Sequence, residues 1–216
     1  MSVLISPSIL SIDFAALREN IEMLNESEAD WIHLDVMDGV FVPNISFGFP
    51  VLQAVSRLAT KPLDVHYMIV HPEHYIQQTA QLGAYLMTVH AETCTQLHST
   101  IHQIHSAGMK AGVSINPASP LSMIEDIITE ADVILIMSVN PGFGGQKFIE
   151  STYEKIRVLR QMIKERGANT LIEVDGGVQN ITAPLLVEAG ADVLVSGSYI
   201  FNAEDPKATI KALKEA

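Results

Sequence analysis

Two polar side chains interrupt a short apolar run that has the composition of a buried strand. His33 and Asp35 lie two positions apart in this run, and residues i and i+2 of a strand point to the same face. Burying an imidazole and a carboxylate without partners is costly. A divalent metal suits both groups, and His with Asp is typical of zinc or iron sites. A hydrogen-bonded pair in an ordinary core is the alternative that this stretch leaves open.

Short apolar runs alternate with amphipathic segments along the whole chain. The predicted strands are residues 3–8, 31–36, 63–69, 85–90, 111–116, 133–139, 170–174 and 193–196. The predicted helices are residues 14–24, 50–58, 72–82, 96–107, 121–128, 153–166, 181–189 and 206–214. With no linker or composition break, this pattern favours one α/β domain over residues 1–216, folded as a single (β/α)8 TIM barrel. An open doubly wound sheet is the less favoured alternative.

Polar residues stand near the C-terminal ends of most predicted strands, where such barrels carry their sites. These residues are Ser8, His33, Asp35, His66, His90, Asn116 and Asp175. Any one of them could be a satisfied core group. Two histidines and two aspartates that converge on one mouth favour a metal site, and they are His33, Asp35, His66 and Asp175.

Glycine-rich turns follow the last three predicted strands. The residues concerned are Gly142, Phe143, Gly144 and Gly145, then Gly176 and Gly177, then Gly197 and Ser198. In a barrel, turns at this place often bind phosphate together with the N-terminus of a short helix, which residues 198–201 could form. Because no Arg or Lys lies in these turns, backbone amides would have to bind the phosphate. Tight turning alone is the alternative reason for the glycines.

Three methionines lie near the same strand ends. Met37, Met68 and Met137 could fill gaps in the core, since methionine is flexible and apolar. They could equally form an apolar cap that keeps water away from the reacting carbon. The sequence leaves both interpretations open.

A phosphate site beside a metal and two carboxylates suggests a small phosphosugar substrate. The metal would act as a Lewis acid on a carbonyl or an enediolate. An aspartate is a weak base for a C–H proton, and each unit of pKa mismatch is worth about 1.4 kcal/mol, so the metal must acidify that carbon. Asp35 and Asp175 lie on well-separated strands and could approach from opposite faces. Proton removal on one face and return on the other is an epimerisation.

Composition excludes several other classes of protein. The formal net charge of -12 argues against binding to nucleic acid or an anionic membrane surface. No apolar run approaches a membrane span, and the start of the chain lacks a signal-peptide pattern, so we expect a cytoplasmic protein. A single cysteine, Cys94, agrees with a reducing compartment. The three histidines spaced along one predicted helix, His98, His102 and His105, are expected to form a solvated face.

The chain resembles the ribulose-phosphate 3-epimerase family over its whole length. The matching stretches are Ser6-Pro7-Ser8-Ile9-Leu10, His33-Leu34-Asp35-Val36-Met37-Asp38-Gly39, Phe41-Val42-Pro43-Asn44, Asp64-Val65-His66, Val139-Asn140-Pro141-Gly142-Phe143-Gly144-Gly145-Gln146, Glu173-Val174-Asp175-Gly176-Gly177 and Ser196-Gly197-Ser198. The resemblance implies interconversion of D-ribulose 5-phosphate and D-xylulose 5-phosphate, in the pentose phosphate pathway. Val40 and Tyr67 are departures from the usual pattern that remove no proposed ligand or base.

The resemblance also implies residue roles. It places one divalent metal, Zn, Fe(II), Co or Mn, on His33, Asp35, His66 and Asp175. It makes Asp35 the proton acceptor and Asp175 the donor in one direction. Ser8 and His66 would contact the substrate, and the three glycine turns would hold its phosphate end.

Two other functions remain as alternatives. One is a 3-epimerase of a six-carbon ketose phosphate such as allulose 6-phosphate, although the intact Gly144-Gly145 and Gly176-Gly177 pairs favour the five-carbon substrate. The other is a silent barrel that only binds phosphosugars. The family resemblance further implies a homo-oligomer.

Overall fold

Eight parallel strands form one sheet in the computed structural model, which describes residues 3–216. They are β1 Leu4–Pro7, β2 Ile32–Met37, β3 Leu63–Met68, β4 Leu86–His90, β5 Lys110–Ile115, β6 Val133–Met137, β7 Leu171–Asp175 and β8 Val193–Ser196. The order in the sheet is β1-β8-β7-β6-β5-β4-β3-β2. A parallel bridge between Ser8 and His33 joins β1 to β2 and closes the ring. The predicted (β/α)8 barrel is therefore confirmed.

The helices surround this sheet. They are α1 Leu17–Glu26, α2 Phe49–Leu58, α3 Ile76–Gln81, α4 Leu97–Ser106, α5 Thr152–Glu165, α6 Ala183–Ala189, α7 Ser198–Phe201 and α8 Pro206–Lys214. The short helix expected after β8 is present as α7. The main hydrophobic core lies between the helices and the outer face of the sheet. Among residues 3–216, no helix has both the length and the apolar character that a bilayer crossing requires.

The helix predicted at residues 121–128 is wrong. Two 3₁₀ turns, Leu121–Met123 and Glu125–Ile127, stand there instead, between β5 and β6. Their backbone bonds run from residue i to residue i−3, for example from the Ile127 N–H to the Ile124 carbonyl at 3.1 Å. Ile124, between the two turns, is fully buried, and 3₁₀ turns of this length are common in connections between elements. The predicted helices at 14–24 and 72–82 also begin as 3₁₀ turns, at Phe14–Ala16 and Pro72–Tyr75.

Side chains inside the barrel change from apolar to polar along the strand direction. The N-terminal end is closed by an apolar cluster of Trp31, Leu86, Val133 and Val193, with Leu4 and Leu171 packed against it. Above this cluster lies a buried polar layer of Ser6, His33, Asp64, Thr88 and Glu173. The C-terminal ends carry the remaining strand-end polar groups. This apolar cluster, called the apolar plug below, thus closes the N-terminal pole of the barrel, and the C-terminal pole is left open for the site.

Tyr67, one of the departures from the family pattern, points away from the barrel interior. Its hydroxyl lies 2.7 Å from Thr79 Oγ1 on α3, and its ring stacks on Tyr75 with 6.2 Å between the centroids. Burial raises the pKa of Tyr67 to about 12. The hydroxyl is therefore satisfied in the helix layer, and the tyrosine does not intrude on the strand ends.

Close packing inside the barrel yields a test of stability. Gly112 on β5 is the register partner of Thr88 on β4, and a Cβ at Gly112 would lie 2.1 Å from Thr88 Oγ1 and 3.1 Å from Thr88 Cα. The backbone cannot yield easily, so Gly112→Ala should lower the free energy of unfolding by about 1–3 kcal/mol. Denaturant unfolding measures this. Gly48→Ala is the control, because a Cβ there meets nothing within 4 Å, and it should lose much less. A Gly112→Ala protein as stable as the parent would show that the layer is loosely packed.

Candidate active site

A cavity of about 910 Å³ opens at the C-terminal ends of the strands. Residues from six strands, or immediately after them, line its floor and walls. They include Ser8, Asp35, Met37, Met68, Met137 and Asp175. The glycine turns at Gly142–Gly145, Gly176–Gly177 and Gly197–Ser198 line the same cavity. The structure therefore brings the two halves of the predicted site, polar strand ends and glycine turns, to one space.

Four donor groups meet at the floor of this cavity. Asp35 Oδ1 lies 3.3 Å from His33 Nε2 and 3.3 Å from His66 Nδ1, and these two nitrogens are 3.4 Å apart. A tetrahedral ion with bonds of about 2.0–2.1 Å places its ligand atoms about 3.3–3.4 Å apart, so the triangle has the spacing of three metal ligands. Asp175 completes the set, with all four ligand atoms within 4.8 Å of one another. The residues present thus fit a divalent metal.

The four groups occupy different depths. His33 and His66 are fully buried and lie behind the cavity wall, whereas Asp35 and Asp175 face the cavity. Burial lowers the pKa of His66 to about 4, which keeps it neutral, as a metal ligand must be. This depth favours the ligand role of His66 over a direct contact with substrate. Ser8 lines the cavity and donates to Asp35 Oδ2 at 2.5 Å, which leaves Oδ1 toward the histidines.

The two aspartates have pKa values shifted in opposite directions. Burial raises the pKa of Asp35, but His33 and, to a smaller extent, His66 outweigh it and hold that pKa well below its usual range. Burial, reinforced by the charges of Asp35 and Asp64, raises the pKa of Asp175 to about 7. Such a pair suits a base and an acid at neutral pH. These directions describe the protein without an ion, since a bound cation would stabilise every carboxylate around it.

A second buried carboxylate pair lies below the donor groups. Asp64 Oδ2 contacts His33 Nδ1 at 2.5 Å and accepts from Ser6 Oγ at 3.2 Å. Burial and the Asp64 charge raise the pKa of Glu173 well above its usual value, which favours its neutral form. His33 is thus bonded on its Nδ1 side and directs Nε2 to the donor cluster. Sequence reasoning did not assign Asp64 or Glu173 to the site, although both lie in motifs that carry the family resemblance.

The glycine turns approach one another around Ser11, a residue that sequence reasoning missed. A Cβ on Gly197 would lie 2.7 Å from Ser11 Oγ, and one on Gly144 would lie 3.3 Å from it. Within residues 3–216, the N–H groups of Gly177, Gly197 and Ser198 donate to no backbone carbonyl, so they are available to an anion. Lys147 also lines the cavity, beyond the turn of β6. The turns therefore combine free amides with little space for side chains.

Polar side chains hold these loops in place. Asn44 Nδ2 donates to the Gly142 carbonyl at 2.7 Å. Gln146 Nε2 donates to the carbonyls of Asn140 and Phe143 at 2.7 and 2.8 Å. Asp38 caps its own turn, as expected of an Asp-Gly pair, by accepting from the Val40 and Phe41 N–H groups at 2.8 and 2.9 Å. Asn44 and Gln146 were visible in the family motifs, but their long-range partners were not.

The three methionines divide into two groups. Met37 and Met68 cluster with Val42, and all three are buried. Met137 is also buried, at the end of β6. All three methionines line the cavity, in the position predicted for an apolar cap. Their sulfur-bearing side chains make part of its floor non-polar.

The remaining sequence candidates lie away from the cavity. His98, His102 and His105 on α4 are exposed. His98 and His102 approach through their Nε2 atoms at 3.2 Å, and Glu130 joins them to form a surface group with the spacing of metal ligands. Cys94 is buried, and burial raises its pKa to about 11, so its thiol is not activated.

Comparison with known proteins identifies the family. The model of the Ribulose-phosphate 3 epimerase family matches residues 4–201. The ribulose-phosphate 3-epimerase of Bacillus subtilis (strain 168) is 49% identical over 211 residues, which cover 97% of each chain. The chloroplastic ribulose-5-phosphate-3-epimerase of Arabidopsis thaliana is 50% identical over 98% of this chain and 76% of its own. A solved structure of KGPDC from Streptococcus mutans shares only the fold, with 14% identity and a TM-score of 0.76 over 100% of this chain and 97% of that one. Since the family model and both relatives span nearly all of it, the chain belongs to the ribulose-phosphate 3-epimerase family.

Proposed function

We propose that this protein interconverts D-ribulose 5-phosphate and D-xylulose 5-phosphate by metal-dependent, two-base proton transfer at C3. Family membership supports the reaction and the substrate pair. The observation that carries the mechanism is the convergence of His33, Asp35, His66 and Asp175 within 4.8 Å at the floor of a cavity rimmed by glycine turns.

The donor set suits one divalent ion of borderline type, Zn, Fe(II), Co or Mn, held by His33, Asp35, His66 and Asp175. When bound, the ion supplies Lewis-acid stabilisation of the negative charge that develops on the substrate oxygens. The two histidines approach the proposed ion from the buried side, and the two aspartates approach it from the side of the cavity. Asp35 and Asp175 can therefore hold the ion and still reach the substrate.

Asp35 and Asp175 act as the two bases. They lie on β2 and β7, which β1 and β8 separate on one side of the ring and four strands separate on the other. In one direction Asp35 takes the proton from C3, and the electron pair of the C–H bond passes into an enediolate. Asp175 then delivers a proton to the opposite face of C3.

The phosphate end of the substrate lies against the glycine turns. The amides of Gly177, Gly197 and Ser198 supply neutral donors, which matters in a chain of net charge -12. Phe143, exposed at the mouth, and the buried methionines bound the sugar between its two polar ends. Their apolar surface excludes water from the reacting carbon.

The expected cytoplasmic location and homo-oligomeric assembly stay predictions. The Arabidopsis relative is named as chloroplastic, so members of the family differ in compartment. The mass of the protein measured in solution would test the expected homo-oligomer.

Removing the ion should abolish turnover. Lewis-acid stabilisation is worth several kcal/mol, so chelator-treated protein should lose at least about 10²-fold in kcat. Turnover of ribulose 5-phosphate and allulose 6-phosphate should be measured side by side, before and after Zn, Fe(II), Co or Mn is restored. Recovery with preference for the five-carbon substrate is expected. Full activity in protein verified to be metal-free would end the metal proposal.

Two bases should leave an isotopic signature. In D₂O at low conversion, product should carry deuterium at C3 while remaining substrate stays mostly unlabelled, provided that Asp175 exchanges with solvent faster than the reverse reaction. Mass spectrometry or NMR measures both. Early product that keeps its original hydrogen would point to one shuttling carboxylate.

Asp175→Asn should lower kcat by at least about 10²-fold, since one proton-transfer group is lost. Slow C3–H exchange through Asp35 should survive. Metal content must be measured in the variant, because the amide is a weaker ligand. A metal-loaded variant with parental kcat would restrict Asp175 to a ligand role.

Gly197→Ala should raise KM for the phosphosugar about tenfold or more, because the added Cβ would lie 2.7 Å from Ser11 Oγ and would intrude where the phosphate binds. Lys147→Ala removes a cation of the cavity wall and should raise KM less. Gly48→Ala, which adds a Cβ in open space, is the neutral control. If only Lys147→Ala changed KM, the lysine and not the amides would bind the phosphate.

A further inference from the structure

His66 is connected to a carboxylate by way of a second histidine. His66 Nε2 lies 2.9 Å from His90 Nε2, and His90 Nδ1 lies 3.2 Å from Glu92 Oε2. The other nitrogen of His66, Nδ1, is the one that faces Asp35 Oδ1 at 3.3 Å. His90 is fully buried at the end of β4, and the ring of Phe41 packs against it with 4.8 Å between the centroids.

We propose that the His90–Glu92 pair is a positioning device that sets the tautomer of His66, so that Nδ1 keeps its lone pair for the metal. This proposal rests on the metal role of His66 proposed above. Neither His90 nor Glu92 touches the donor cluster of His33, Asp35 and Asp175 through the hydrogen bonds of the described chain. Their effect is transmitted entirely through the orientation and tautomer of one imidazole.

The positions of the hydrogen atoms follow from the contacts. Two ring nitrogens 2.9 Å apart can share only one hydrogen, so one of them must be an acceptor. An ionised Glu92 can only accept, so His90 Nδ1 carries a hydrogen. A second hydrogen on His90 would make a fully buried cation, which is costly. His90 Nε2 is therefore the acceptor, His66 Nε2 donates to it, and His66 Nδ1 is left with its lone pair.

Glu92 is itself held in one orientation. Its Oε1 accepts from the Asn116 N–H at 2.8 Å and from Ser119 Oγ. These donors help to keep the pKa of Glu92 at about 2, against the effect of burial and together with His90. Lys155 Nζ anchors the same loop by donating to the carbonyls of residues 116, 117 and 119 at 3.2, 2.6 and 2.8 Å. With Oε1 occupied, Oε2 is committed to His90.

In both proposed histidine ligands a carboxylate then decides which ring nitrogen is free for the metal, directly at His33 and through a second imidazole at His66. Asp64 contacts His33 Nδ1 directly at 2.5 Å, which leaves Nε2 for the metal. At His66 the imidazole of His90 lies between the Glu92 carboxylate and the ligand, so Nε2 carries the hydrogen and Nδ1 is left for the metal. Carboxylate partners of this kind commonly change metal affinity 10–100-fold when they are removed.

Glu92→Gln is a sharp test because it should reverse the direction of the hydrogen bonds from residue 92 through His90 to His66, a chain of contacts called the relay below, while it keeps the shape of the side chain. Asn116 and Ser119 hold the amide oxygen at the Oε1 position, so the NH₂ group faces His90 Nδ1. His90 must then carry its hydrogen on Nε2 and donate to His66, which moves the His66 hydrogen to Nδ1. Metal affinity, measured by competition with a chelator, should fall about 10–100-fold. At saturating metal, kcat should return close to the parental value.

The matched control is Glu73→Gln. His71 and Glu73, like His90 and Glu92, are two positions apart in the sequence, and His71 Nδ1 lies 3.4 Å from Glu73 Oε1. In this pair, however, 65% of the histidine side chain is exposed. This variant should leave metal affinity unchanged. All proteins should carry His102→Gln, so that the surface group of His98, His102 and Glu130 does not contribute to the titration.

Long-range ¹H–¹⁵N NMR of the metal-free protein gives a readout that needs neither activity nor a variant. His66 should lack a hydrogen on Nδ1 in the parent and should gain it in Glu92→Gln. A parent with His66 protonated on Nδ1, or a Glu92→Gln variant with unchanged tautomer and affinity, would overturn the relay. A parent that binds no metal but shows the expected tautomer would instead overturn the proposed metal site.

Discussion

The interior of this barrel concentrates acidic groups where water cannot reach them. Asp35, Asp64 and Glu173 are buried, Asp175 lies beside them, and the imidazoles among them have little capacity to neutralise all four. Part of the excess is removed by protonation, as the raised pKa values of Glu173 and Asp175 indicate. A divalent cation would remove the rest at the place toward which the imidazole nitrogens of His33 and His66 also point. The proposed metal site follows from this imbalance of buried charge.

The barrel makes such an imbalance tolerable because each polar side chain is placed by a strand. Neighbouring parallel strands set Asp35 opposite His66 and His33 opposite Asp64 in register, so the donor atoms meet without help from mobile loops. The apolar plug around Trp31 closes the far pole and excludes water from below. The polar layer can then hold His33 rigidly, because its partners are as immobile as the strands themselves.

The sequence predicted most of this arrangement for a clear physical reason. Eight apolar runs, most of them with polar residues near their C-terminal ends, specify both the strands and the pole at which they act, and β8 was predicted residue for residue at Val193–Ser196. The failure at residues 121–128 arose because a short amphipathic pattern does not distinguish an α-helix from two 3₁₀ turns. The spacing of buried apolar residues is similar in both.

Residues that act through another residue were the hardest to find. Ser11 was missed because a serine in a loop carries no pattern, and only the approach of two distant glycines makes its position matter. Asp64 and Glu92 lie in or beside strands, where a lone polar residue reads as a satisfied core group, and His90 was recognised only as one of several strand-end polar residues. Their importance depends on which ring nitrogen each of them faces, and that is a property of three-dimensional register.

Strand ends and loops of this barrel differ in charge, and this difference explains how an acidic protein can accept an anionic substrate. The strand ends hold negative charge that a cation must balance, whereas the turns after β7 and β8 offer backbone N–H groups and carry no acidic side chain beyond Asp175 itself. Ser11 and the close contacts of Gly144 and Gly197 keep side chains out of that region. In the proposed arrangement the phosphate of the substrate therefore lies toward the amides and its reacting carbon toward the aspartates. The same separation of charge that would bind the substrate would also orient it for proton transfer.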